Sequence, residues 1–154
     1  MKISKNFYLK ELTASGTAER LGIDNTPGEE ELASLVVLTH KVLQPVREHY
    51  GVVSVSSGFR CLELNRKIGS SDKSQHVRGE AVDFECYSVD NKLVASYIQE
   101  YLDFDQLILE FYKVGYPNSG WIHCSYNRVG DNRKKVMTAV RGAKGTEYKD
   151  GFVS

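Results

Sequence analysis

An aspartate inside an apolar segment constrains the fold of this chain more than any other feature. Asp83 lies in the run Ala81–Cys86, whose other residues are mostly apolar and predict a buried β-strand. Burying a carboxylate is unfavourable unless the charge is paired or bound to a metal. The chain is therefore expected to fold so that a partner for Asp83 lies beside this strand.

Two histidines are candidates for that partner. His76 lies in a polar loop seven residues before Asp83, and His123 is central in a second predicted strand, where alternation places Trp121, His123 and Ser125 on one face. Two imidazoles and a carboxylate leave one position of a tetrahedral zinc site open, as in catalytic zinc sites. Spacing alone also permits a simpler interpretation, in which His76 is a surface loop residue and Asp83 caps its strand.

Length and charge indicate one globular domain over residues 1–154, expected to be a monomer. Twenty basic residues balance twenty acidic ones, so no overall field favours nucleic acid or an anionic membrane. The small basic patch at residues 133–135 is interpreted as a solvated edge. No apolar run approaches the roughly 18 residues of a membrane span, so no membrane insertion is expected.

The first residues lack the apolar core of a secretory signal, which predicts synthesis in the cytoplasm without a signal peptide. The chain has three cysteines, Cys61, Cys86 and Cys124, and no Cys-x-x-Cys pair, so reduced thiols are expected. Strand alternation turns Cys124 to the face opposite His123, where it is predicted to be buried and inert.

Helical and strand patterns alternate along the chain. The clearest helix covers residues 29–50, with an interruption at Pro45, and carries His40 and His49 as ordinary histidines without a second ligand at a matching offset. Further helices are predicted at 62–68 and 91–102, and strands at 52–57, 81–86, 106–111, 121–126 and 136–140, before a polar tail. This order predicts an α+β fold, with helices packed against a central, mostly antiparallel sheet.

Three motifs in this order resemble a known family. They are Ser57-Gly58-Phe59-Arg60, the pattern Ser-x-His-x-x-Gly-x-Ala-x-Asp at residues 74–83, and Trp121-Ile122-His123. The chain is similar over residues 7–139 to the zinc D-Ala-D-Ala carboxypeptidase and L-Ala-D-Glu endopeptidase family, which shares its fold with the hedgehog signalling domain. The likeness is greatest to the short phage and prophage branch of that family.

The resemblance implies a site and a substrate. One Zn²⁺ per chain would be held by His76, Asp83 and His123, and the substrate would be the peptide stem of peptidoglycan. Arg60 would face the substrate and act in catalysis, since a guanidinium suits both the charge that develops on the carbonyl oxygen and the product carboxylate. A structural salt bridge is the alternative role for Arg60.

Ser74 and Gln75 are expected to hold the substrate or to steer the neighbouring His76. Trp121 could belong to the pocket wall or to the core, and the core is the preferred interpretation. Glu80, immediately before strand 81–86, is the less favoured acidic candidate because it lies on the face opposite Asp83.

One position departs from the family pattern. Many members carry the catalytic acid or base three residues before the last histidine, where this chain has Gly120. Glu110 is the candidate replacement, because a carboxylate in the apolar run 106–111 is unfavourable without a task. Glu110 could instead orient a zinc ligand or pair with Arg60. Glu85, two residues after Asp83 on the same strand face, is the rival base.

These features predict a zinc metallopeptidase that hydrolyses a peptide-stem bond of peptidoglycan, as a D,D-carboxypeptidase or an L-Ala-D-Glu endopeptidase. An enzyme of a phage or prophage would reach the wall through lysis of the host or as part of a virus particle. The alternative is a non-catalytic module on the same fold that binds the cell wall or forms part of a virion.

Overall fold

A six-stranded sheet forms the centre of the structure, a computed structural model that describes residues 1–152. The strands are β1 (Val53–Ser57), β2 (Ala81–Cys86), β3 (Gln106–Glu110), β4 (Trp121–Ser125), β5 (Lys135–Gly142) and β6 (Gly145–Asp150). Their order across the sheet is β1-β2-β4-β3-β5-β6, and every pairing is antiparallel except that of β3 with β5. The predicted α+β class with a mostly antiparallel sheet is confirmed.

The helices are α1 (Leu9–Thr13), α2 (Gly16–Leu21), α3 (Glu29–Leu38), α4 (Gln44–Tyr50), α5 (Leu62–Lys67) and α6 (Asn91–Tyr101). A π-helical turn, Thr39–Leu43, joins α3 to α4, so the predicted helix over residues 29–50 is present but widened in its middle. Pro45, in the first turn of α4, has no N–H to donate, and its ring would crowd the carbonyl four residues earlier. The interruption predicted at Pro45 is therefore observed as a π turn just before it.

The two faces of the sheet have different environments. On one face, the apolar residues of the central strands pack with α3, α4 and α6 into the main core; those strand residues are Val82, Phe84, Leu107, Leu109, Ile122 and Cys124. Because side chains alternate along a strand, the residues between them point to the other face. That second face carries Asp83, His123 and Glu110 and leaves them beside a cleft.

The C-terminal segment differs from the prediction of a short strand followed by a polar tail. The strand at residues 136–140 extends to the full length of β5, and the tail returns as β6, paired with β5 from Met137↔Asp150 to Gly142↔Gly145. All six residues of β6 are exposed, so this edge strand has no apolar face to reveal it in the sequence. The last two tail residues, 153 and 154, lie outside the described part of the chain.

The cysteine prediction agrees with the structure. Cys61, Cys86 and Cys124 are free thiols, and Cys124 is fully buried on the core face of β4. Burial raises the pKa of the Cys86 thiol to about 12, so this thiol remains protonated and unreactive at neutral pH. Among residues 1–152, no helix has the length and apolar character needed to cross a membrane.

Candidate metal and active site

Two neighbouring strands and a short turn bring the predicted metal ligands together. Asp83 on β2 lies directly opposite His123 on β4 in the antiparallel register, so both side chains are on the same face. His76 comes from a 3₁₀ turn, Gln75–Arg78, that precedes β2. Each of the three residues offers a ligand atom, and these atoms all lie within 4.8 Å of one another.

His76 is oriented by a backbone carbonyl. Its Nδ1 lies 2.7 Å from the Gly58 carbonyl oxygen, which can only accept, so Nδ1 is the donor in this hydrogen bond. Nε2 points toward Asp83, 3.4 Å from Oδ2. Only 4% of His76 is exposed, so the simpler interpretation of this residue as a surface loop histidine is wrong.

Asp83 is ionised between the two imidazoles. Burial opposes its ionisation, but hydrogen bonds from His123 and His76 outweigh this effect and hold the pKa of Asp83 well below its usual range. His123 Nδ1 lies 2.8 Å from Asp83 Oδ1.

This donor set fits a divalent cation such as zinc, because one carboxylate and two imidazole nitrogens converge on one place. The contact from His76 Nδ1 to Gly58 is the kind of hydrogen bond that fixes the ring of a metal-binding histidine.

The three side chains line a cleft of about 610 Å³, a volume typical of a small-ligand site. Glu110 lines the same cleft. It pairs with Trp121, while Ile108 pairs with His123, so Glu110 is the diagonal cross-strand neighbour of His123, about 7 Å away between Cα atoms. Burial raises the pKa of Glu110, an effect that the charge of His123 opposes.

The rival carboxylate, Glu85, is placed differently. It accepts a hydrogen bond from Asn91 Nδ2 at 3.1 Å, and it is not among the residues that line the cleft. Glu80, the less favoured candidate, accepts a hydrogen bond from Arg78 Nε at 2.8 Å. Of the carboxylates weighed as a base, Glu110 is therefore the one that faces the ligand cluster.

Arg60 lines the cleft and is held by neutral groups. Its Nε donates to Asn65 Oδ1 and its Nη1 to Ser57 Oγ, both at 3.0 Å. Burial lowers the pKa of Arg60, and the negative charge of Asp83 opposes that change. These bonds orient the guanidinium without cancelling its charge, as expected of a group that faces a developing anion rather than of a structural salt bridge.

Ser74 and Gln75 both line the cleft. The Ser74 hydroxyl accepts the backbone N–H of His76 at 3.2 Å, which supports the expected steering of that histidine. Gln75 reaches in another direction, and its Nε2 donates to Asp105 Oδ2 at 3.0 Å.

Several cleft residues were misplaced or missed by the sequence analysis. Trp121 lies in the cleft wall, with its ring 5.4 Å from that of Phe111, so the preferred assignment to the core is wrong. Tyr148 reaches the cleft because Trp121, Glu110, Ala139 and Tyr148 form one cross-strand row over β4, β3, β5 and β6. Only the unforeseen pairing of β6 brings Tyr148 there, so no local sequence signal could have found it.

The interpretation of Arg133 as part of a solvated edge also needs correction. Its Nε and Nη2 donate to Asp105 at 2.9 and 2.8 Å, and both residues line the cleft. Asp105 is only 3% exposed. A carboxylate immediately before the apolar strand β3 was the available signal, of the same kind that identified Asp83.

The pairing of Asp105 predicts a specific acid sensitivity. The hydrogen bonds from Arg133 lower the pKa of Asp105 to about 2, below its ordinary value near 4. The resulting stability is complete above about pH 4 and is lost as pH falls through about 2. We expect a contribution of about 1–2 kcal/mol, reduced because Arg133 is largely exposed.

Urea unfolding at pH 6 and near pH 2 measures this effect. Asp105→Asn should lower stability at pH 6 and flatten its decline in acid, whereas Asp103→Asn, at an exposed neighbouring position, should leave both unchanged. Equal acid sensitivity in Asp105→Asn and the unmodified protein would contradict the assignment.

Gly120 has a backbone reason to be glycine. Its φ is +65°, and a Cβ there would overlap the carbonyl oxygen of Glu110. A side chain bearing the usual family carboxylate therefore cannot be placed at this position without moving β3. We expect Gly120→Ala to lower the free energy of unfolding by about 2–4 kcal/mol.

Gly115 supplies the matched control for this substitution, measured by urea unfolding. Its φ is +89°, but a Cβ there meets nothing within 4 Å, so Gly115→Ala should cost only about 1 kcal/mol, from backbone strain alone. If the two variants lost equal stability, the overlap with Glu110 would not be the cause.

Comparison with known proteins agrees with this geometry. Residues 5–125 match the family model described as Peptidase M15, which covers well over half of the chain and ends with β4. A search of curated proteins found no significant match. The α+β fold is consistent with that family, and the His76, Asp83 and His123 cluster falls within the matched segment. The chain therefore belongs to the peptidase M15 family of zinc metallopeptidases.

Proposed function

We propose that this protein is a zinc-dependent hydrolase that cuts a bond in the peptide stem of bacterial peptidoglycan, as a D,D-carboxypeptidase or an L-Ala-D-Glu endopeptidase. The observation that carries the proposal is the convergence of His76, Asp83 and His123 within 4.8 Å, in a cleft that also holds Glu110 and Arg60. A phage or prophage enzyme of this kind would meet the wall after lysis or from a virus particle.

Each side chain has a defined task in the proposed reaction. Zinc, held by His76, Asp83 and His123, would supply a Lewis acid for hydrolysis of the amide. Glu110 takes a proton from the attacking water on its carboxylate and delivers it to the leaving nitrogen. Arg60 donates to the carbonyl oxygen as negative charge develops on it, which its fixed position favours.

The geometry weakens the main support for a non-catalytic module. That alternative drew on the glycine at position 120, where many relatives carry a carboxylate. Glu110 presents a carboxylate to the same cleft from the adjoining strand, and Gly120 is required by the backbone. The loss of the carboxylate at position 120 therefore does not remove an acid or base from the site.

Incubation with purified peptidoglycan tests the proposal. The zinc-loaded protein should release new amino groups, a chelator should abolish the release, and added zinc should restore it. Free D-alanine would identify the carboxypeptidase, whereas a new N-terminal D-glutamate would identify the endopeptidase. Binding to peptidoglycan without any release would instead establish a wall-binding module, and recovery in purified virus particles without release would establish a virion part.

A further inference from the structure

Arg133 and Gln75 meet on one buried carboxylate beside the cleft. Asp105 accepts hydrogen bonds from the Arg133 backbone N–H at 3.0 Å, from its Nε at 2.9 Å and from its Nη2 at 2.8 Å. Gln75 Nε2 donates to the same oxygen as Nη2, Asp105 Oδ2, at 3.0 Å. The two side chains are therefore fixed next to each other, and both line the cleft.

Each of these side chains retains binding capacity. Asp105 engages the Nε and Nη2 edge of Arg133, which leaves the Nη1 donors for another group, and the Arg133 side chain is 57% exposed. Gln75 Oε1 is buried and, within residues 1–152, has no hydrogen-bond partner. A flipped amide would turn this oxygen against the Asp105 carboxylate, so the orientation of Gln75 is determined. A buried acceptor of this kind is stabilised by an incoming N–H.

The pair lies beyond the metal cluster along β3. Gln106, Ile108 and Glu110 alternate on the cleft face, and Ile108 is the residue opposite His123. At the rise of a strand, Gln106 and Glu110 are each about 7 Å from Ile108, in opposite directions. Asp105 directly precedes Gln106, so it holds Arg133 and Gln75 at the end of the cleft away from Glu110. About two residues of an extended peptide span the distance of about 7 Å between Gln106 and Ile108.

We propose that Arg133 and Gln75 form a subsite that binds a free carboxylate and an amide N–H of the substrate peptide close to the bond that is cut. Arg133 supplies a charge-assisted donor through Nη1, and Gln75 Oε1 supplies the acceptor. This inference rests on the proposed function. It fits both candidate bonds, because the residue whose nitrogen is released, D-alanine or γ-linked D-glutamate, carries a free α-carboxylate.

Both residues that set this specificity are fixed by Asp105, but they lie in different parts of the chain. Gln75 is within the segment that matches the family model, whereas Arg133 follows it. The subsite is therefore a property of the loop that leads into β5, and the family match alone does not imply it.

Two synthetic stem peptides test the subsite. They differ only at the α-carboxyl group of the residue whose nitrogen is released. This group is a free carboxylate in one peptide and a neutral carboxamide in the other. The unmodified protein should cleave the acid with a kcat/KM about 10–100-fold higher than the amide, the range for a hydrogen bond to a charged group. Arg133→Gln should lose most of this preference, so that its kcat/KM for the acid falls to within a few-fold of its kcat/KM for the amide.

Arg66→Gln is the matched control. Arg66 also pairs with an aspartate through Nε and Nη2, at 3.0 and 2.8 Å from Asp72, but it is exposed on α5 and does not line the cleft. Its replacement should leave the preference unchanged. If Arg133→Gln does not fold, Arg133→Lys takes its place in the test. Lysine retains a cation for Asp105 but lacks the free guanidinium edge, so this variant should show the same loss of preference for the acid.

Calorimetric binding of the two peptides to the zinc-loaded protein separates failure of the subsite from failure of the proposed function. If neither peptide is cleaved but the acid binds about 10-fold more tightly, and Arg133→Gln removes that difference, the subsite stands while the hydrolytic function falls. Equal discrimination between acid and amide by the unmodified protein and folded Arg133→Gln or Arg133→Lys would overturn the subsite.

Discussion

Replacing His123 with alanine is expected to remove the zinc and abolish hydrolysis. His123 supplies one of the three candidate ligand atoms within 4.8 Å, so the variant leaves only His76 and Asp83. Loss of a direct ligand should weaken zinc binding by more than the roughly 10–100-fold typical of residues that only support a ligand. Activity should fall below about one-thousandth, because the Lewis acid contributes several kcal/mol to catalysis.

Elemental analysis of protein supplied with zinc and then dialysed is the measurement. The unmodified protein should retain one zinc per chain and His123→Ala essentially none. His40→Ala is the control, because His40 is exposed and its ring contacts the Ile3 carbonyl, away from the cluster. Its zinc content should equal that of the unmodified protein. If the unmodified protein held no zinc even after the metal was supplied, the metallopeptidase proposal would be wrong.

The metal cluster could be anticipated because its main signals are local. Asp83 and His123 each interrupt an apolar strand, and alternation assigns each to a face without any knowledge of the fold. The structure adds that these strands are neighbours and that the two residues are directly opposite. His76 was harder to place, since the orientation of its ring depends on the Gly58 carbonyl, which follows β1 and lies 18 residues earlier.

The rest of the cleft depends on long-range pairing that has no local signature. The strand β6 is exposed throughout and has no apolar alternation, yet its register with β5 brings Tyr148 to the row that contains Glu110. Arg133 looked like a surface cation, because Lys134 and Lys135 follow it and its partner Asp105 is 28 residues away. Local patterns therefore indicated the residues that cluster on the sheet, His76, Asp83 and His123, better than those of the cleft walls.

Substitution of Glu110 by glutamine is expected to lower kcat by about 10²–10⁴-fold while zinc remains bound. Glutamine keeps the size of the side chain and its place in the row with Trp121, but it cannot accept the proton of the attacking water. Zinc content should be unchanged, because Glu110 is not in the ligand cluster. The loss should appear in kcat more than in KM, since proton transfer acts on the transition state.

Glu85→Gln distinguishes the two candidate bases. Glu85 is anchored to Asn91 and lies outside the cleft lining, so its replacement should leave kcat within about two-fold of the unmodified enzyme. Steady-state kinetics on a stem peptide, with zinc measured in the same samples, compares both variants. Full activity in zinc-loaded Glu110→Gln would exclude Glu110 as the base, and a large loss in Glu85→Gln alone would transfer that role to Glu85.

Because burial makes the Glu110 carboxylate unfavourable in the free protein, Glu110→Gln should also be at least as stable as the unmodified protein. This stability separates a catalytic loss from a folding defect.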